Sequence, residues 1–105
     1  MTLTLSPRER THLKGRAHAL EPVVQVGKAG LSESVLTEVD RALTAHELIK
    51  VRLAGDRDDR KAMIAELCQR TAAAHVSDVG RIVVLWRPRP EEEVPTQEAR
   101  SEKRR

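Results

Sequence analysis

Apolar residues recur along this chain at helical spacing in three stretches and at strand spacing in four, and the switches between the two rhythms mark seven elements. Ser6-Pro7-Arg8-Glu9 opens the first. Serine is a favoured N-cap, proline fits the first helical position, and glutamate three residues after the cap completes a capping box. The first helix should run to about Ala17 with a thin apolar face, mainly Leu13 and Ala17, while Arg10, Lys14 and Arg16 point elsewhere. Pro22 to Val26 reads as a short strand with proline at its entrance, where a missing N–H costs least. After the turn Gly27-Lys28-Ala29-Gly30, Ser32 can cap a second helix whose Leu31, Val35, Leu36, Val39 and Leu43 follow helical spacing, ending near His46. Leu48 to Leu53 alternates, burying Ile49, Val51 and Leu53 and leaving Lys50 and Arg52 on the other side, so one face of the sheet is expected to be open and basic. Asp56 or Asp58 can cap a third helix with Ile64, Leu67, Cys68 and Ala72 in its stripe. His75 to Val79 is a weak strand and Arg81 to Trp86 a strong one, joined through Gly80 as a hairpin, and Arg87-Pro88 ends it.

This order predicts one α/β domain over residues 1–88, α-β-α-β-α-β-β, with a four-stranded mixed sheet. Two consecutive strand–helix–strand units favour parallel neighbours with right-handed crossovers, and the last hairpin adds an antiparallel partner. From Arg89 onward Pro, Glu and Arg dominate without periodicity, which predicts a disordered charged tail over residues 89–105.

At 105 residues there is room for a modest core but not for a second catalytic domain. The single Cys68 leaves no internal disulfide and no cysteine-rich zinc site, which fits a reducing compartment, and its place on an apolar stripe suits a small buried hydrophobe. No apolar run approaches the ~18 residues of a membrane span. A cytoplasmic protein, monomeric and without a membrane partner, is the expectation. The net charge of +3 is mild, but its distribution is uneven: residues 1–30 carry five Lys/Arg against two Asp/Glu, and residues 31–86 carry eight against nine. The excess surrounds the glycine turn, where a phosphate-binding footprint would put it; a solvated helix face would give the same count. With one Trp and no Phe or Tyr, the chain lacks the aromatic platforms on which single-strand readers stack bases, so backbone contacts would have to dominate.

The turn itself carries the chemistry. A glycine at each end of Gly27-Lys28-Ala29-Gly30 removes the Cβ atoms that hold a ligand backbone away. Where such a turn leads into a helix, free N–H groups and the positive end of the helix dipole face an anion, and Lys28 adds a mobile charge. Catalysis finds little support. The four histidines do not form an i, i+4 metal pair, and no metalloprotease, Walker A or nucleophile-elbow motif occurs, so neither a metal nor a cofactor is expected. Asp56, Asp58 and Asp59 suit a Mg²⁺ nuclease in principle, but helix capping explains them more cheaply. Trp86 suits base stacking or, more simply, core packing.

The run HLKGRAHALEPVVQVGKAGL from His12 to Leu31, with the second helix, the HELIKVRL strand and the terminal VLWRP, resembles the CRM domain, in particular its small stand-alone bacterial YhbY-type members, over about Leu5 to Pro88. The resemblance implies a fold similar to the C-terminal domain of translation initiation factor three. It also implies RNA binding without catalysis, in association with precursors of the large ribosomal subunit. In that family the GxxG turn is the RNA-contacting loop, which places Gly27, Lys28, Ala29 and Gly30 there. The first helix would supply the second contact: Arg10, Lys14 and Arg16 extend a positive track, and His12 and His18 either assist or pack. Gly15 inside that helix costs about 1 kcal/mol relative to alanine, a cost that a close helix approach or an RNA backbone would explain. The alternative is a protein-interaction module on the ribosome whose glycine turn is purely structural.

Overall fold

Each helix starts where a side-chain oxygen can satisfy its first free N–H groups. In the computed structural model, which describes residues 5–88, Ser6 Oγ accepts from Glu9 N at 3.1 Å and the Glu9 carboxylate from Ser6 N at 2.9 Å, opening α1 (Pro7–Ala17) with the expected capping box. Ser32 Oγ caps α2 (Glu33–His46) through Val35 N at 3.2 Å. Asp56 and Asp59 exchange side-chain-to-backbone bonds of 2.8 and 3.1 Å at the head of α3 (Arg57–Thr71), so two of the three clustered aspartates are spent on capping. Among the described residues no group of His, Cys, Asp and Glu is arranged to hold a metal ion.

The strands are β1 (Pro22–Val26), β2 (Leu48–Leu53), β3 (Ala74–Val79) and β4 (Ile82–Trp86), in one sheet of order β1-β2-β4-β3. β1 and β2 are parallel, while β4 runs antiparallel to both β2 and β3. The four-stranded mixed sheet is as expected, but only the first strand–helix–strand unit yields parallel neighbours. β4 enters between β2 and β3 because Val83, Val84 and Leu85 are apolar on both faces and belong in a central position, whereas β3 ends in exposed Asp78 and a 77% exposed Val79 and suits an edge.

Two cores sandwich the sheet. On one face α2 and α3 bury Leu36, Val39, Leu43 and Leu67 against Val24, Val26, Ile49, Val51, Leu53, Val83 and Leu85. On the other, α1 lays Leu13 and Ala17 over Leu48, Ala74, Val76 and Val84, with Leu5, Leu20 and Trp86 around them. The expectation of an open basic face therefore needs correction. Leu48 shares a face with Lys50 and Arg52, and α1 covers that face at the Leu48 end, leaving Lys50 half-buried and Arg52 exposed. The third helix also departs from the expected stripe. Ala72 is not in it but is the C-cap, in the left-handed conformation (φ 58°, ψ 34°) and exposed. The expected tail, residues 89–105, lies outside the described residues.

Candidate nucleic-acid interface

β1 delivers the glycine turn to the end of the sheet where β2 also finishes. Val26 O accepts from Ala54 N at 3.1 Å, which ties the two strand ends together. The turn closes on itself: Gly30 N–H donates to Gly27 O at 3.0 Å. Ala29 keeps a negative φ and Gly30 takes φ +84°, so the bend is not a type II turn and needs glycine at its last position. The Gly30 amide, expected to face a ligand, is thus used internally. The Lys28 and Ala29 amides carry the exposed donors, and both residues are exposed with no backbone partner among the described residues. α2 begins three residues further on, at Glu33, rather than at the turn itself, and Glu33 is held by Arg70 at 3.2 Å.

Gly27 behaves differently from Gly30. Its φ is ordinary, and a Cβ built on it would meet no atom within 4 Å. Neither backbone conformation nor packing within the chain requires glycine there. The empty volume in front of it is available to something that approaches from outside.

The turn has two unlike sides. Toward α3, Gly27, Lys28 and Gly30 share a cleft of about 470 Å³ with Ala54, Gly55, Asp59, Ala62 and Met63, where the Asp59 carboxylate opposes an anion and the apolar side chains offer it no donor. Away from α3, β1 turns Val23 and Gln25 outward, and Gln25 pairs in register with Arg52, followed on the same face of β2 by Lys50. At the foot of β1, Arg16 overhangs Val23 in a cleft of about 480 Å³ completed by Leu20, Glu21, His46, Leu48 and Ile49. Arg16 on α1 and Lys50 and Arg52 on β2 thus lie on the α1 side of the sheet, with exposed Lys28 in the turn at its end and exposed Lys14 further around α1. Among the described residues none of these five cations has a carboxylate partner; the ion pairs there join Arg70 to Glu33 and Glu66, His75 to Asp78, and Arg87 to Asp40.

One expected member of the track is withdrawn from it. Arg10 Nη1 donates to the carbonyl oxygens of His75 and, at 3.0 Å, Val76, so this guanidinium fastens α1 to β3. His12 and His18 are exposed on α1, and His18 serves as its C-cap, with its N–H on Gly15 O at 3.3 Å. Trp86 is partly buried against the α1 core, the simpler of its two expected roles. Gln25 was not legible as a site residue from the sequence. Its only signal is that it alternates with Val24 and Val26 on the strand that leads into the turn.

The model of the CRS1 / YhbY (CRM) domain matches residues 5–87, nearly every described residue. The chain belongs to the CRS1/YhbY (CRM) domain family. A Haemophilus influenzae relative named RNA-binding protein is 47% identical over 92 residues, covering 87% of this chain and 93% of its own. The same domain is 27% identical over 84 residues to the chloroplast CRS2-associated factor 1 of Zea mays, where the match takes up 12% of the larger protein. Among solved structures, the solution structure of a hypothetical Staphylococcus aureus protein thought to bind RNA superposes with a TM-score of 0.75 at 30% identity, over 83% of this chain and 92% of that one. The α/β sandwich described above is therefore the CRM fold, and the face beside its GKAG turn carries Lys50 and Arg52.

Proposed function

We propose that this CRM domain is an RNA-binding protein of the cytoplasm, acting as a monomeric, non-catalytic factor on ribosomal RNA within precursors of the large subunit. The Lys28 and Ala29 amides hold a backbone phosphate in front of Gly27, Lys28 neutralises it, and Arg52, Lys50, Arg16 and Lys14 continue the positive track. The relatives named for RNA binding support the class of partner. The observation that carries the role of the turn is the glycine at position 27, which the fold does not need and an approaching phosphate does. Contacts of this kind position a nucleic acid without reading its bases, so binding should weaken steeply with salt.

The open space around Gly27 also fixes the test. Gly27→Asp fits without strain and places a negative charge where the phosphate would sit, so the variant should keep its unfolding midpoint and lose co-sedimentation with large-subunit precursors. Unchanged co-sedimentation would favour the rival reading, a protein-interaction module whose turn is only structural. Labelled ribosomal RNA incubated with the protein and Mg²⁺ should remain uncut.

A further inference from the structure

Gly15 presents the same puzzle as Gly27. It lies inside α1, where glycine is a poor helix former, and the sequence alone allows either a close approach by another helix or a ligand as the reason. The structure removes the first. Gly15 is exposed, its φ is not positive, and a Cβ built on it would meet nothing within 4 Å. At about 100° per residue it lies some 200° around the helix from buried Leu13, on the face turned away from the sheet, between Lys14 and Arg16. The protein thus has two glycines that its own folding does not require, each bordered by cations that form no ion pair, one on α1 and one at the turn.

The two points are held apart by β1. Arg16 overhangs Val23 at its foot, and Gly27 follows its last residue. Four residues at a rise of about 3.3 Å separate Val23 from Gly27 by roughly 13 Å, and Gly15 faces away from Val23 on the outer side of α1, so one phosphate cannot serve both. Along that span lie the exposed Val23, Gln25 and Arg52 and the half-buried Lys50, with no aromatic ring among them, and the one tryptophan of the chain is partly buried against the α1 core. A single strand bound there would have its bases unpaired, with no aromatic ring along the span to stack on. A duplex keeps its bases stacked within itself and presents two rigid backbones across a groove.

We infer that Gly15 is a second backbone-contact point and that the RNA spanning Gly15 and Gly27 is double-stranded. This rests on the proposed RNA-binding reading and specifies the form of RNA at that site. Gly15 leaves α1 without a side chain where one backbone comes closest, Lys14 and Arg16 flank it, and the second backbone meets the turn.

The test uses the full chain with a blunt RNA duplex of about 20 base pairs, one of its strands alone chosen not to self-pair, and a DNA duplex of the same sequence. The RNA duplex is expected to bind at least about tenfold tighter than the single strand, and tighter than the DNA duplex, whose groove shape differs. Gly15→Ala and Gly15→Gln should both raise the melting temperature, by about 4 °C or more for alanine, because either residue forms helix better than glycine. Both should weaken duplex binding, glutamine by about tenfold. A structural role cannot give a gain in stability together with a loss of affinity. Equal or tighter binding of the single strand overturns the duplex assignment, and a stabilised Gly15→Ala variant with unchanged affinity overturns the contact. Salt-dependent RNA binding in either case leaves the broader reading standing; absence of binding to any RNA removes both.

Discussion

Arg10 Nη1 donates to the Val76 carbonyl oxygen at 3.0 Å, which makes a basic residue of α1 a strut between that helix and β3. Lys14 and Arg16, four and six residues further along α1, have no such bond among the described residues. Arg10→Ala removes a charged donor from two strand carbonyls and should cost about 1.5–3 kcal/mol of folding stability. Arg16→Ala, at an exposed position, should stay within about 0.5 kcal/mol of the parent. Urea unfolding separates the two, and RNA affinity should show the reverse order, with Arg16→Ala the weaker binder. A stable Arg10→Ala protein would return that residue to the RNA track.

The two glycines of the turn should respond oppositely to the same substitution. Gly30 holds φ +84°, where an L side chain is strained, so Gly30→Ala should lose about 1–2 kcal/mol. Gly27 has an ordinary φ and open space, so Gly27→Ala should leave stability unchanged or raise it by about 0.4–1 kcal/mol through the unfolded chain. Equilibrium unfolding of the pair decides it. Equal losses at both positions would remove the argument that Gly27 is kept for a ligand.

Much of this fold was written locally. Ser6, Ser32 and Asp56 announce the helix starts because a cap needs only a side-chain oxygen two or three residues from a free N–H, and the period-two rhythm of Leu48 to Leu53 is a property of one strand. What the sequence did not disclose depends on partners far along the chain. Leu13 and Ala17 say that α1 is thinly apolar, but not that it lies over Leu48 and Val84, and the apolar run of β4 suits a central strand without saying that its second neighbour is β2. The same holds for the site. The GKAG turn was legible as a motif and Lys14 and Arg16 as nearby charges. Which cations are free, however, followed only from seeing Arg10 bound to His75 and Val76 and Arg52 set beside Gln25.

Ala72 terminates α3 in the left-handed conformation, with its N–H on Cys68 O. Alanine tolerates that region poorly and glycine readily, so Ala72→Gly should stabilise the domain by about 0.5–1 kcal/mol, despite the extra freedom glycine gives the unfolded chain. A rise in the urea midpoint with an unchanged slope is the expected result. A fall would mean that the exposed Ala72 methyl contributes more than its backbone costs.

Lys50 and Arg52 are counted in the track on the strength of their face and because neither forms an ion pair among the described residues. Each phosphate they neutralise contributes about 0.7–0.9 to the slope of log K against log salt, so Lys50→Gln and Arg52→Gln should each lower that slope by about this amount. Arg57→Gln is the control. Arg57 borders a different concavity, between α3 and β3, with Asp58 and Asp78 in its wall, and its loss should leave the slope alone. Equal slopes for Arg52→Gln and the parent would confine the contact to α1 and the turn.

Cys68 tests the main core by titration. It is buried against the α2–α3 side of the sheet, and burial pushes its thiol above the usual 9.0 because a thiolate there would lose its water. Below about pH 8 the thiol is protonated in both folded and unfolded chains and its titration adds nothing to the pH dependence. As pH passes 9.0 the unfolded chain releases the proton while the folded one keeps it, so the unfolded state binds fewer protons and stability falls with rising pH. Cys68→Ala should lack this part of the decline, even though the smaller side chain lowers stability at every pH. The folded protein should also react with a thiol reagent at pH 8 far more slowly than the urea-unfolded chain, because only a transiently opened molecule presents a thiolate. Equal labelling rates would mean that α3 does not hold Cys68 against the sheet.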